Sequence, residues 1–307
     1  MDYSQYIEIS STVKEYMLGV SDGVSLRIIE FIPPDISREK PVIIFVAGWI
    51  SLISGWKYLL KVLCAEYRII YLESREKQSS KVPDVNKVSF SMQRLALDIG
   101  EIVEQVIPPD GEFILAGSSL GATAILEYCG SDRRKPSAAI LIGPNTEFRF
   151  PRLLALIILP LHPALYFSIK PVVKWYLRNF RLDKKTSPEQ IEKYENTLDH
   201  ADPYKLKANA LALRNYALPD SVNRLNVPCL IIGATSDKLH DTGNIRQLVK
   251  TIPDAEYIEL AGNMETHSKT AGQIIAKYIK SLRNGIDRQS RQTDLLSGGR
   301  STHGNHP

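Results

Sequence analysis

The segment Phe113-Ile-Leu-Ala-Gly117-Ser-Ser119-Leu-Gly121-Ala-Thr-Ala-Ile-Leu-Glu-Tyr128 constrains this chain more than any other. Residues 113–116 form an apolar run too short for a typical helix and read as a buried strand. The run passes into Gly-x-Ser-x-Gly, after which Ala122, Ala124, Ile125 and Tyr128 recur at helical spacing until Gly130, a plausible C-cap. A serine on so tight a strand-to-helix turn needs nearly side-chain-free residues two positions away on either side. Gly117 and Gly121 meet that need and centre the turn on Ser119, not Ser118. The N–H of Leu120, at the positive end of the helix, then points where an oxyanion forms.

This segment resembles the nucleophile elbow of the α/β-hydrolase superfamily, in its capped serine-hydrolase branch. The resemblance covers about residues 13–283 and implies a mostly parallel, doubly wound sheet with an all-helical cap inserted after the sixth strand. The remaining sequence follows that order. Residues 13–18 and 24–32 flank Asp22-Gly23, a hairpin signal. Residues 41–46, 67–72, 138–143 and 227–233 are short, mostly apolar runs of the kind buried on both faces of a parallel sheet, and residues 255–260 complete it. Helical patterns at 54–63 (with Ser54 as cap), 91–106 and 273–282 alternate with them, the mark of βαβ winding.

The alternation stops between residues 147 and 225, where only helical patterns occur. The expected units are a first core part at 1–146, a cap at 147–225, a second core part at 226–283 and a disordered tail at 284–307. Within the cap, Ser187-Pro188-Glu189-Gln190 reads as a helix start. Residues 153–173 are strongly apolar, but Pro160, Pro163, Pro171, His162 and Lys170 interrupt them and argue against a spanning helix. Two readings stay open: a lid packed over the pocket, or a surface that also touches membrane or lipid, since Lys170, Lys174, Arg178 and Arg181 alternate with Trp175, Tyr176 and Phe180.

A serine hydroxyl needs a base to take its proton and a carboxylate to orient that base. The family's order is serine, acid, histidine, each on the loop after a strand. Asp237 and His267 occupy those slots, after the runs ending at Gly233 and Leu260; His240 precedes the last strand, and Asn145 or Glu147 is the fallback position for the acid. The loop after residues 41–46 resembles the one that supplies the second oxyanion donor. Carried over, that donor is the N–H of Trp49, although Ala47 stands where a histidine is usual. Glu73 and Arg75, on the next loop, are expected to form a structural ion pair.

The resemblance implies a metal-free hydrolase acting on a carboxylic ester or thioester with an apolar moiety, with catalytic Ser119, His267 and Asp237 and no cofactor. Amide, C–C, lactone and acyl-transfer chemistry use the same constellation, and a hydrolase-like binding protein of low turnover is the alternative of another class. The expected partner is a small ester-like molecule. A net charge of +4 with no Lys/Arg block gives no ground for nucleic acid binding. Cys64, Cys129 and Cys229 lie in apolar runs without paired spacing and read as buried thiols. The start, Met-Asp-Tyr-Ser-Gln-Tyr, has neither a basic patch nor an apolar core, so a cytoplasmic setting is expected.

Overall fold

Eight strands form one sheet: β1 (Thr12–Gly19), β2 (Ser25–Ile32), β3 (Val42–Val46), β4 (Ile69–Glu73), β5 (Phe113–Ser118), β6 (Ala138–Ile142), β7 (Cys229–Ala234) and β8 (Ala255–Leu260). Their spatial order is β1-β2-β4-β3-β5-β6-β7-β8. β1 and β2 form an antiparallel hairpin whose turn places Gly23 at φ 82°, and β2 runs antiparallel to β4. All other pairs are parallel. The structure, a computed structural model, describes the main chain of residues 2–7, 11–35, 40–148, 162–176, 179, 188–220, 222, 225–235 and 242–298.

The apolar runs become central strands because helices cover both faces of the sheet. Along β3, Ile43 and Phe45 face one side while Ile44 and Val46 face the other, the two-residue alternation of a strand. Ile43 and Phe45 share a core with Leu60 of α1 (Lys57–Cys64), Trp56 of the turn before that helix, and Ile275 and Ile279 of the closing helix α8 (Lys269–Gly298). Ile44 and Val46 belong to the opposite core, shared with Leu95 and Ile99 of α2 (Met92–Val106), Ile125 of α3 (Leu120–Cys129) and, toward β7 and β8, Ile245 of α7 (Thr242–Thr251). The stretch of chain between β6 and β7, where a cap is expected, carries α4 (Tyr166–Tyr176), α5 (Pro188–Asp199) and α6 (Pro203–Leu213). None of the described helices is long and apolar enough to cross a membrane.

The order of the strands fixes where a site can form. From β3 the chain winds to β4 on one side, then crosses to β5 on the other, so β3 and β5 are adjacent while their outgoing loops diverge. Ligands of open α/β sheets bind in the crevice at such a switch point, outside the carboxyl ends of the strands. Val46 pairs in register with Gly117, which brings the segments following them, Ala47-Gly48 and Ser118-Ser119, side by side.

Several local expectations change. Ser54 caps no helix: it lies inside a 3₁₀ turn, Ile53–Trp56, and α1 starts after it without a side-chain cap. Ser91 does cap α2, accepting from the Arg94 N–H. The closing helix continues through residues 284–298, where composition alone gives a tail. A helix already nucleated by packing adds Arg, Gln, Asp and Leu at small cost per residue. Cys64, Cys129 and Cys229 are buried and unpaired. Ser187 and residues 153–161 lie outside the described residues.

Glu73 and Arg75 do not pair with each other. Glu73 bonds Arg27 of β2, whereas Arg75 is wholly buried between Asp98 of α2 and Asp22 of the β1–β2 turn. The guanidinium makes two bonds to Asp98 (2.6 Å each), two to Asp22 (2.7 and 3.3 Å) and one to the Ser89 carbonyl (2.7 Å). All five of its N–H donors are thus satisfied, which is what burying an arginine requires.

Candidate active site

Ser119 sits between β5 and α3 with φ 49° and ψ −114°. Among the described residues only Ile50 shares a positive φ without being glycine. Left-handed backbone costs an L-residue roughly 1–2 kcal/mol and persists where the surroundings enforce it. Here the Ser119 N–H donates to the Ile142 carbonyl (2.8 Å), and the Ser119 carbonyl accepts from the Thr123 N–H (2.9 Å) and hydroxyl (3.1 Å). Leu120 is the first residue of α3, so its N–H has no acceptor within the helix.

The two glycines act through space. A Cβ on Gly121 would stand 2.1 Å from the Val46 carbonyl oxygen, and one on Gly117 2.7 Å from Ile125 Cδ1 and 2.8 Å from that same oxygen. Gly48 is close too: its Cβ would lie 3.3 Å from Ser119 Cβ. The turn after β3 therefore rests directly against the serine. That turn closes with the Ser51 N–H on the Gly48 carbonyl (3.1 Å) and carries Ile50 at φ 48°. A β-branched residue with positive φ is rare and marks a turn held by its environment. The two strained residues thus lie in the two loops that meet at this point.

His267 ends a 3₁₀ turn, Glu265–His267, just beyond β8. Its Nδ1 lies 3.0 Å from the Asn263 carbonyl oxygen and 3.0 Å from the Thr266 hydroxyl. A carbonyl can only accept, so the contact assigns the proton to Nδ1 and leaves Nε2 as the basic nitrogen. The ring lies over the fully buried indole of Trp56, with centroids 4.0 Å apart and planes 32° apart. Trp56 donates in turn to Ser51 Oγ (3.1 Å) in the turn that abuts Ser119. A relay of contacts, His267–Trp56–Ser51–Gly48–Ser119, therefore joins the histidine loop to the serine. In the sequence Trp56 falls within the helical pattern at 54–63, and nothing local marks it as the partner of a histidine 211 positions later.

Asp237 lies outside the described residues, as does His240. The fallback position holds Asn145, whose Nδ2 donates to Ser119 Oγ (3.1 Å); its backbone is held by the Thr123 hydroxyl, which accepts from the Asn145 main-chain N–H (3.0 Å) and shares its one proton between the Asn145 (3.0 Å) and Ser119 main-chain carbonyls. Glu147 bridges to Ala217, where the cap's two stems meet, and its Oε1 is 3.5 Å from Asn244 Nδ2.

The loop after β4 forms the adjacent wall. Glu73, Ser74, Arg75, Glu76, Lys77 and Ser80 are all buried. Lys77 Nζ donates to the Gly48 carbonyl and stands 3.4 Å from Glu76 Oε1. From the cap, Lys205 Nζ donates to the carbonyls of Ser80 (2.6 Å), Lys77 (2.9 Å) and Gln78 (3.4 Å). Between this loop, the Ile50–Ser54 segment and α5 lies a cavity of about 420 Å³, lined by Ser51, Ile53, Glu73, Lys77, Asn196 and His200.

This architecture has counterparts. The family model described as Serine aminopeptidase, S33 matches residues 88–263, more than half of the chain, spanning the elbow and the histidine loop up to Asn263. The chain belongs to this α/β-hydrolase family. Solved α/β-hydrolases superpose on it over most of their length. A carboxylesterase of Nitrososphaera gargenis has a TM-score of 0.71 at 15% identity, covering 88% of this chain and 100% of that one. An esterase of Exiguobacterium antarcticum gives 0.68 at 17%, covering 87% and 100%. A thermophilic esterase of Thermogutta terrifontis gives 0.65 at 18%, covering 88% and 99%. At such identities the likeness is one of fold. No curated protein matches the sequence. For an α/β-hydrolase, the crevice at the β3–β5 switch is the expected place for the site, and the strained serine lies there.

Proposed function

We propose that this α/β-hydrolase cleaves carboxylic esters (thioesters included) through Ser119, by way of an acyl-enzyme. The observation that carries this reading is the strained backbone of Ser119, set at the head of α3 with Gly48 packed against it. His267 Nε2 takes the proton as Ser119 Oγ attacks the ester carbonyl. The N–H groups of Leu120 and Trp49 hold the resulting oxyanion. Collapse expels the alcohol, protonated by His267, and water then attacks the acyl-enzyme with His267 again as base. Asp237 stabilises the protonated imidazole, sharing the Nδ1–H with the Asn263 carbonyl that holds the ring. The Nδ1 proton assignment and the Trp56 stacking support the histidine's role.

The test is labelling with a fluorophosphonate probe and turnover of p-nitrophenyl esters. Ser119→Ala should remove both, with a loss on the order of 10⁴- to 10⁶-fold in rate, while Ser118→Ala keeps them. Labelling that survives Ser119→Ala and disappears in Ser118→Ala would move the nucleophile.

For the cap, one observation favours a lipid-facing role and an apolar substrate moiety. On α4 and the turn before it, Leu165, Phe167, Ile169, Val172 and Trp175 are exposed, Val172 at 63%. Lys170 and Lys174 of α4 both pair with Asp199 (3.0 and 2.7 Å), and the Lys170 ammonium also lies 6.0 Å from the centroid of the Phe167 ring. Exposed apolar side chains beside lysines whose charge is already engaged suit contact with an acyl-chain surface.

A further inference from the structure

The turn that proposes Trp49 as a donor lacks the histidine usual at position 47, yet a cation reaches it from another element. The described peptide bonds are all trans, so the carbonyl of Gly48 and the N–H of Trp49, which share one peptide, point in opposite directions. The Gly48 carbonyl accepts the Ser51 N–H and the Lys77 ammonium, while the Gly48 Cα faces Ser119. We propose that Lys77 is the positioning residue of the oxyanion site, holding the Gly48 carbonyl so that the other end of the same peptide, the Trp49 N–H, is presented to the oxyanion. A charged donor on the carbonyl also polarises the amide and strengthens its N–H as a donor.

Lys77 is built for this post. Its side chain is 5% exposed, its ammonium is flanked by Glu76, and its own carbonyl is held by Lys205 from the cap. Burial pushes the ammonium below the ordinary lysine range, against the pull of Glu76 and Glu73. The other charged or titratable groups around it are Arg27 of β2, Lys205 of α6 and His200 just after α5, with Arg27 engaged by Glu73 and Glu15. Loss of the Lys77 proton at alkaline pH removes the charge-assisted bond to Gly48.

The inference rests on the serine-esterase reading, and the experiment separates the two. Wild type, Lys77→Met, Lys77→Arg and the double variant Lys77→Met/Glu76→Gln, which leaves no unpaired buried charge, are compared by circular dichroism, fluorophosphonate labelling and p-nitrophenyl butyrate kinetics. Removing one oxyanion donor outright costs about 10²- to 10³-fold in kcat, so misplacing one should cost roughly 10- to 100-fold. KM should stay within about threefold, because the effect belongs to the transition state. Lys77→Arg should recover most of the rate. The wild-type kcat should fall reversibly at alkaline pH, and the residual activity of Lys77→Met should lack that limb. Folded Lys77→Met or double variant with kcat within about twofold of wild type overturns the proposal while the serine reading stands. Should neither variant fold, a wild-type kcat that stays flat through the alkaline range overturns it. A wild type that neither labels on Ser119 nor turns over ester overturns the serine reading, and this proposal with it.

Discussion

Gly121→Ala adds a single methyl group at the point where α3 crosses the end of β3. That methyl would stand 2.1 Å from the Val46 oxygen, 2.7 Å from the Val46 carbonyl carbon and 2.9 Å from the Ala47 oxygen. All three obstacles are backbone, so no side-chain rotation relieves them. Opening the first contact to the 3.4 Å at which ordinary contact begins moves the elbow and β3 apart by more than an ångström. The displaced residue adjoins Leu120, whose N–H is the proposed donor. A misplacement of about 1 Å in a preorganised site costs around 10²-fold in rate, close to 2.7 kcal/mol of barrier. Overpacking costs a further ~1–3 kcal/mol of stability, outweighing the ~1 kcal/mol by which alanine is the better helix former. The expected result is a folded protein with Tm lower by about 2–6 °C and kcat/KM down about 100-fold, measured by urea or thermal unfolding and p-nitrophenyl butyrate hydrolysis. Gly19→Ala, with nothing within 4 Å of the added methyl, is the control and should match wild type. Wild-type kinetics in Gly121→Ala would refute the close-approach argument.

Arg75→Met should destabilise the fold by about 3–5 kcal/mol in urea titrations, because Asp98, 3% exposed, keeps only Arg94 as a partner; a loss below about 1 kcal/mol would contradict that account. The hydrogen bond from Arg27, joined by that from Tyr3, holds the Glu15 carboxyl below the usual carboxylate range. A group so lowered adds stability above its unfolded value and loses it as pH falls through the folded one, so Glu15→Gln should lower Tm at neutral pH and converge with wild type in acid. Anionic vesicles should shift Trp175-dependent fluorescence to the blue, and Val172→Glu with Phe167→Glu should abolish the shift; equal spectra with and without vesicles would leave the outward apolar face without a lipid role.

The central strands β3 to β7 were legible because each carries four or five consecutive apolar residues bounded by turns, a pattern that few alternatives satisfy. The elbow was legible for a related reason: Gly117 and Gly121 are demanded by one close crossing, and their spacing records it. The loop after β4 was not legible. The sequence pairs Glu73 with Arg75 there, yet the loop is buried because its charges find partners at Asp22, Arg27, Asp98 and Gly48, none of them close in sequence. Periodicity reports how a segment meets apolar neighbours and is silent on polar networks closed by long-range contacts. The same limit hid the stacking of His267 on Trp56. On α4 the spacing correctly gave a helix, but it could not tell which face looks outward, since the paired lysines, not the apolar residues, turn toward Asp199.

The insertion of the cap between two neighbouring strands also bears on how the chain is made. β6, buried at every position in the finished protein, hydrogen-bonds β7 along its far side. During synthesis that far side stays open from the moment Ile142 leaves the ribosome until Cys229 follows it. At ordinary elongation rates the wait is on the order of ten seconds. For that time the nascent chain carries a short, flat, wholly apolar strand with a free row of backbone donors and acceptors, the template that edge-to-edge association needs. Polysome crowding or fast initiation should therefore lower the soluble yield more than the stability of the finished fold foretells, and a chaperone that shields this edge should restore it.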